Sequence, residues 1–183
     1  MIYTLPEIEN RLSGRPLPET RLIRKKTEAA QISNTEQTLG ITFPPAFKNT
    51  ISTYDLGNFE INDIHFGHTG DYLAELSALN TPDPWGGKWW QGETRPSDII
   101  AIALSDPHTY LLDCQNGRIY ALLSDDEWEK WRIIAQDFPT FLRIMATIAI
   151  NNTEGRPQAN DLSQILSATS SQAEHFWRHI ITA

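Results

Sequence analysis

The stretch Leu39-Gly40-Ile41-Thr42-Phe43-Pro44-Pro45-Ala46-Phe47-Lys48 decides how this chain folds. Gly40 reads as a helix stop, because glycine enters the left-handed cap conformation without a Cβ penalty. Pro44 and Pro45 read as a helix start: proline's fixed φ suits a first turn, where its missing N–H has no partner to lose. The second helix then covers residues 45–54 and buries Phe47, Ile51 and Tyr54 before Leu56-Gly57-Asn58 ends it. A helix, a proline-started second helix and a glycine turn into strands form an ordering more specific than any one of its signals.

Downstream, Phe59-Glu60-Ile61 and Ile64-His65-Phe66 alternate around Asn62-Asp63 as two short strands. Residues 71–79 suit a helix, and residues 80–98 hold no period and predict a long loop. Ile99-Ile100-Ala101-Ile102-Ala103-Leu104 reads as a strand covered on both faces, or on one very apolar face. Tyr110 to Cys114 and Arg118 to Leu123 flank Gln115-Asn116-Gly117. Asn-Gly between apolar runs predicts a hairpin, since both residues tolerate positive φ. Asp125 or Asp126 can then cap a helix that aligns Trp128, Trp131, Ile134 or Ala135, and Phe138 on one stripe. Pro139 kinks or restarts that helix, and Phe141, Leu142, Met145, Ile148 and Ala149 continue its period.

Upstream, Pro6 to Leu12 predicts a short helix ended by Ser13-Gly14, followed by an extended Arg15-Pro16-Leu17-Pro18 connector. Helical character returns near Thr27, with Ser33-Asn34-Thr35-Glu36 offering an alternative capped start. The tail suits one or two helices over residues 161–166 and 171–181. Helices preceding and following an antiparallel set of strands predict an α+β domain, with helices segregated against the sheet. The expected organisation is a basic segment at 1–26, an α+β core at 27–152 and a helical extension at 153–183.

Composition narrows the function. At 183 residues the chain can bury one substantial core, and 40% apolar content with six tryptophans argues against wholesale disorder. The most apolar segment, Phe138 to Ile150, contains Arg143 and falls short of the ~20 residues a membrane span needs. Met1 to Glu7 lacks the apolar run of a secretory leader. Cys114 is the single cysteine, so no internal disulfide can form. A cytoplasmic protein is expected, with no membrane association. Residues 1–26 carry six basic against three acidic groups, whereas the remainder carries nine against twenty, for a net charge of −8. An acidic body repels nucleic acid, whose binding rests on phosphate neutralisation, and attracts basic proteins. Solubility alone would also account for the charge.

The element order, with Leu39-Gly40, Phe43-Pro44, Phe47, Gly57, Leu112-Asp113, Asn116-Gly117, Ile119-Tyr120 and Ala135-x-x-Phe138-x-x-Phe141-Leu142, resembles the SUKH superfamily over about residues 30–145. That superfamily includes fungal cell-wall-synthesis regulators of the Smi/Knr type and many bacterial immunity proteins. Two departures stand out: Leu56-Gly57-Asn58 replaces a frequent Gly-Gly, and Pro107-His108-Thr109 replaces a frequent Gly-Asp. The resemblance implies a SUKH-like fold and a non-catalytic protein-binding module, commonly an immunity protein that occupies the surface of a toxin, often a nuclease. It implies no catalytic residues and no cofactor.

The residues themselves offer few chemical constellations. His175 and His179 are spaced as zinc ligands on one helix face, but the order is not His-Glu-x-x-His and no third ligand follows by spacing. Two ordinary histidines on a terminal helix are the simpler account, and no metal is expected. Cys114 lies within a strand without an activating signature and reads as a structural thiol. Asp106, Asp113, Asp125, Asp126, Glu127 and Glu129 surround the hairpin; a turn aspartate and an acid-rich helix start explain them without catalysis. The same acids can form a recognition patch for a basic partner, the reading that rests on the resemblance. Pro84-Trp85-Gly86-Gly87-Lys88-Trp89-Trp90 places three tryptophans in six residues, either as an exposed aromatic anchor or folded back over the sheet. In extended chain Trp89 and Trp90 point to opposite sides, so only one packs inward easily.

The expected contact surface is therefore Trp85, Trp89, Trp90, Asp106, Asp125, Asp126 and Glu129. The expected function is stoichiometric binding of a protein partner, in particular a basic toxin domain. A carbohydrate-binding module using the Trp85–Trp90 loop and a regulatory scaffold are the alternatives.

Overall fold

The computed structural model describes residues 1–82, 88–90, 92–123, 131–156, 159–169 and 173–182. Helix α1 (Leu5–Leu12) opens on a reciprocal cap in which Thr4 and Glu7 satisfy each other's backbone N–H. A 3₁₀ turn (Pro18–Thr20) and the short strand β1 (Ile23–Arg24) follow. Helix α2 (Ala29–Leu39) starts from a cap between Glu28 and Gln31, so the Ser33–Glu36 spacing falls inside the helix. Glu36 instead accepts the Phe43 N–H at 2.6 Å and pairs with Lys48 at 2.8 Å, tying α2 to the segment after it. Gly40 caps α2 at φ 67°, where a side chain would be strained, and Pro45 starts α3 (Pro45–Thr53). Strand β2 (Tyr54–Asp55) pairs antiparallel with β1 and so draws residues 23–24 onto the body.

Six strands form the main antiparallel sheet in sequential order: β3 (Glu60–Ile61), β4 (Ile64–His65), β5 (Ile99–Leu104), β6 (His108–Asp113), β7 (Ile119–Leu123) and β8 (Arg132–Ala135). Asn62 and Asp63, both at positive φ, turn β3 into β4. Helix α4 (Tyr72–Leu79) is capped by Asp71, whose carboxylate accepts the Leu73 and Ala74 N–H groups. Gly57 lies where a Cβ would stand 2.3 Å from the Gly70 carbonyl carbon, so the close approach of these two turns requires glycine there.

The residues before Phe138 correct the sequence reading. Arg132–Ala135 is an edge strand paired with β7, not part of a helix, and residues 124–130, where the helix was expected to start, lie outside the described residues. The ladder to β7 overrides the 3–4 spacing of the apolar residues. Pro139 then stands in the first turn of α5 (Phe138–Thr153), with Asp137 as its cap, so it starts this helix rather than kinking it. Helices α6 (Ala159–Ala168) and α7 (Glu174–Thr182) complete the chain.

The core is layered around α5, eleven of whose sixteen residues are buried. Phe138 packs on Phe47 and Phe66 at ring distances of 4.9 and 6.0 Å, and Phe141 packs on Tyr110 at 5.1 Å. On another side, the Tyr3 backbone N–H donates to Thr147, its hydroxyl donates to Asn151, and Ile8 and Leu12 are fully buried. Ile165, Phe176 and Trp177 join the same continuous cluster from the C-terminal helices. The result is a single α+β domain.

Two bulges shape the sheet. Ile102 is the extra residue between the pairs Ala101–Leu111 and Ala103–Tyr110, and Ile134 is the extra residue between Ile119–Ala135 and Tyr120–Ile133. Each carbonyl that the bulge removes from the ladder is taken by an aromatic donor from a helix. The Tyr72 hydroxyl donates to Ile102 at 2.9 Å, and the Trp177 indole N–H donates to Ile134 at 3.0 Å. Burial raises the Tyr72 phenol well above its ordinary value, keeping the donor protonated. Tyr72→Phe strips the buried Ile102 carbonyl of this partner and is expected to cost about 1–3 kcal/mol. Urea denaturation followed by circular dichroism measures it; a loss below about 0.5 kcal/mol would contradict the role assigned to this bond.

Candidate functional site

The residues singled out by the sequence fall in three parts of the molecule: the end of the sheet at the β5–β6 turn, the sheet face turned away from α5, and the β6–β7 hairpin.

At the sheet end, Leu104 pairs with Thr109 and His108 pairs with Leu123. The β5–β6 turn, carrying exposed Asp106, therefore stands beside the point where β7 runs into residues 124–130. Leu104 and Leu123 flank this turn with 38% and 40% exposure, two of the few large apolar side chains left in solvent. Asp125, Asp126 and Glu129 belong to the segment leaving this end, and their positions lie outside the described residues.

The far face of the sheet buries Ala101, Leu111 and Leu122 beneath Leu79, Trp89, Ile99, Tyr120 and Trp131. Asn80, itself buried, holds this arrangement. Its amide donates to the Leu76 and Ala101 carbonyls, and its oxygen accepts the Ala101 N–H at 2.7 Å and the Trp89 indole N–H at 3.1 Å. Trp89 lies 6.1 Å from Trp131, which lies 6.1 Å from Tyr120. Trp90 is 2% exposed and meets Trp89 edge to face, which puts its ring in the interior and not on a contact surface. Both adjacent tryptophans find packing because the chain bends there instead of running extended. Trp85 lies outside the described residues.

The hairpin acids have local work. Asp113 accepts the Gln115 backbone N–H and the Asn116 side-chain amide, which fixes the turn that Gly117 closes at φ 78°. Asp98 accepts the Gln115 side-chain amide, and its carbonyl accepts the Cys114 N–H. Arg95, which sequence reasoning did not single out, donates to the Leu39, Pro96 and Ile99 carbonyls and clamps the α2 terminus to β5. Burial lowers its affinity for the proton relative to an exposed guanidinium. Only its three-dimensional surroundings disclose that role, since an arginine in a loop carries no local signature.

Burial, reinforced by the neighbouring Asp113 carboxylate, pushes the Cys114 thiol up to about 12, the reverse of what a nucleophile requires. Among the described residues no group of three His, Cys, Asp or Glu side chains is placed to hold a metal ion. No helix of the described residues is long and apolar enough to cross a membrane.

A six-stranded antiparallel sheet with α5 packed on one face and Trp89 and Trp131 on the other defines a class of α+β domain. Within that class the chain belongs to the SMI1 / KNR4 family (SUKH-1), which matches residues 26–144. No curated protein matches the chain.

Cys114 is expected to stay unreactive in the folded protein. At pH 8 a disulfide reagent such as Ellman's should modify it orders of magnitude more slowly than in urea-unfolded chain, because almost none is thiolate. A folded-state rate close to that of the unfolded chain would show an activated thiol.

Proposed function

We propose that this chain is a non-catalytic protein-binding module that acts as a bacterial immunity protein, neutralising a cognate toxin by stoichiometric binding. Membership of a family whose domains bind protein partners is the observation that carries the reading. The acidic charge of the body supports a basic partner surface, such as that of a nuclease domain, and speeds the encounter with it. In this reading Asp106, Asp125, Asp126 and Glu129 take the place of substrate phosphates, and occlusion replaces chemistry. Leu104, exposed beside Asp106, supplies an apolar contact that a purely charged patch lacks. Trp89 and Trp85 are the aromatic members of the proposed surface. Trp90, being buried, supports Trp89 from beneath.

The described tryptophans offer less to a sugar. Trp89 and Trp90 stand at 78° to each other, so the pair presents no flat platform for ring stacking. That geometry favours the protein-binding reading over the carbohydrate one.

Affinity capture from the native host, with bound protein identified by mass spectrometry, supplies the partner. An equimolar amount of this chain should then abolish the partner's toxic activity, whereas undiminished toxicity in the complex would contradict neutralisation. The double reversal Asp125→Lys, Asp126→Lys should leave the protein folded and weaken the complex at least about tenfold at low salt, with a smaller loss at high salt. A folded double variant that binds with full affinity would remove these acids from the interface.

A further inference from the structure

A cleft of about 270 Å³ opens on the α7 side of the sheet end, lined by Pro107, His108, Ala121, Leu123, Arg132, His175, Phe176 and His179. Its walls come from β6, β7, β8 and α7. The body of this chain is strongly acidic, yet no Asp or Glu lines the cleft among the described residues. Among the described residues its charged or titratable lining is one guanidinium and three of the protein's five histidines. Arg132 stands exposed on the edge strand and makes no ion pair within the described residues. Phe176, Ala121, Leu123 and Pro107 form the apolar part, and the His108 ring meets Phe176 edge-on at 5.5 Å. His175 and His179 lie one turn apart on α7 and both face the opening.

We propose that this cleft is a binding site for a small monocarboxylate with an apolar body, an aryl or branched-alkyl acid. The guanidinium is the planar donor that matches a carboxylate, and the imidazoles add hydrogen-bond donors around it. Among the described lining residues the arginine is the one permanently charged group. A single fixed charge suits a monoanion better than a doubly charged phosphate. The apolar body rests on Phe176 and Leu123. The volume falls just under the ~300–1,000 Å³ of drug-sized pockets, so the ligand is small. Among the described residues the three imidazoles do not converge as metal ligands. The assignment does not rest on partner binding: it concerns the cleft under α7, and it stands or falls in the isolated protein.

The histidines supply their own control. His108, His175 and His179 line this cleft, whereas His65 and His68 lie in a separate cleft beside β4. The full chain is titrated with 3-phenylpropionate, 4-methylpentanoate and, separately, 3-phenylpropionamide while the imidazole C–H resonances are followed by NMR. At least one acid should shift the three cleft histidines saturably and leave His65 and His68 in place, and the neutral amide should bind at least about tenfold more weakly. Arg132→Gln, at an exposed position, should weaken the acid by a similar factor while preserving the spectrum of the fold. Absence of saturable shifts with both acids, equal shifts of all five histidines, an amide as tight as its acid, or an unchanged affinity in Arg132→Gln would each overturn the site. Saturable movement of the same three resonances by Zn²⁺ alone, with neither acid binding, would replace it with a metal site.

Discussion

Helix α5 is apolar on nearly all sides, and that constrains everything around it. A helix with one apolar stripe needs one partner, but a helix buried all round needs a layer on every side. The sheet supplies one through Tyr110 and its neighbours, and α3 supplies another through Phe47. The remaining exposure is closed by the two ends of the chain: Tyr3, Ile8 and Leu12 from the first residues, and Ile165, Phe176 and Trp177 from the last helices. The bulges at Ile102 and Ile134 belong to the same solution. Each bends a strand, and each hands its displaced carbonyl to a helix donor, Tyr72 or Trp177, so sheet curvature and helix docking are fixed by the same bond.

That arrangement decides which surfaces remain for recognition. With α5 on one face, the other face carries Leu79 of α4, Trp89, held by Asn80, and Trp131 and Tyr120. At the sheet end the β5–β6 turn brings Asp106 beside the exit of β7. The same strand ends, seen from the α7 side, form the cleft that holds Arg132 and three histidines. A proposed acidic docking edge and a basic pocket thus share strands β6 to β8 while differing in charge and in the kind of ligand each suits.

Much of the fold was legible because its signals are local. Gly40, Pro45, the Asn116-Gly117 turn and the Ile99–Leu104 strand each depend on backbone preference or an unbroken apolar run, and the structure places them as read. Strand β8 was not legible, because four residues are too few to establish alternation and the apolar spacing through Phe138 imitates a helix. The two-residue pairing of β1 with β2 leaves no pattern at all. The site was less legible than the fold. Trp89 was singled out by composition, but its pairing with Asn80 and Trp131 depends on residues that meet only in space. The cleft histidines are separated by more than half the sheet in sequence, so only His175 and His179 could be seen as neighbours, and His108 could not.

The central structural claim is that α5 and the chain termini form one cooperative unit. Native-state amide hydrogen exchange under increasing urea tests it most directly, by comparing α1 and α7 with α5. The account predicts that interior amides of all three exchange through the same global opening, with free energies converging and falling together. If α1 or α7 exchanged through local opening, far faster than α5 and insensitive to urea, the termini would be appendages and the claim would be wrong.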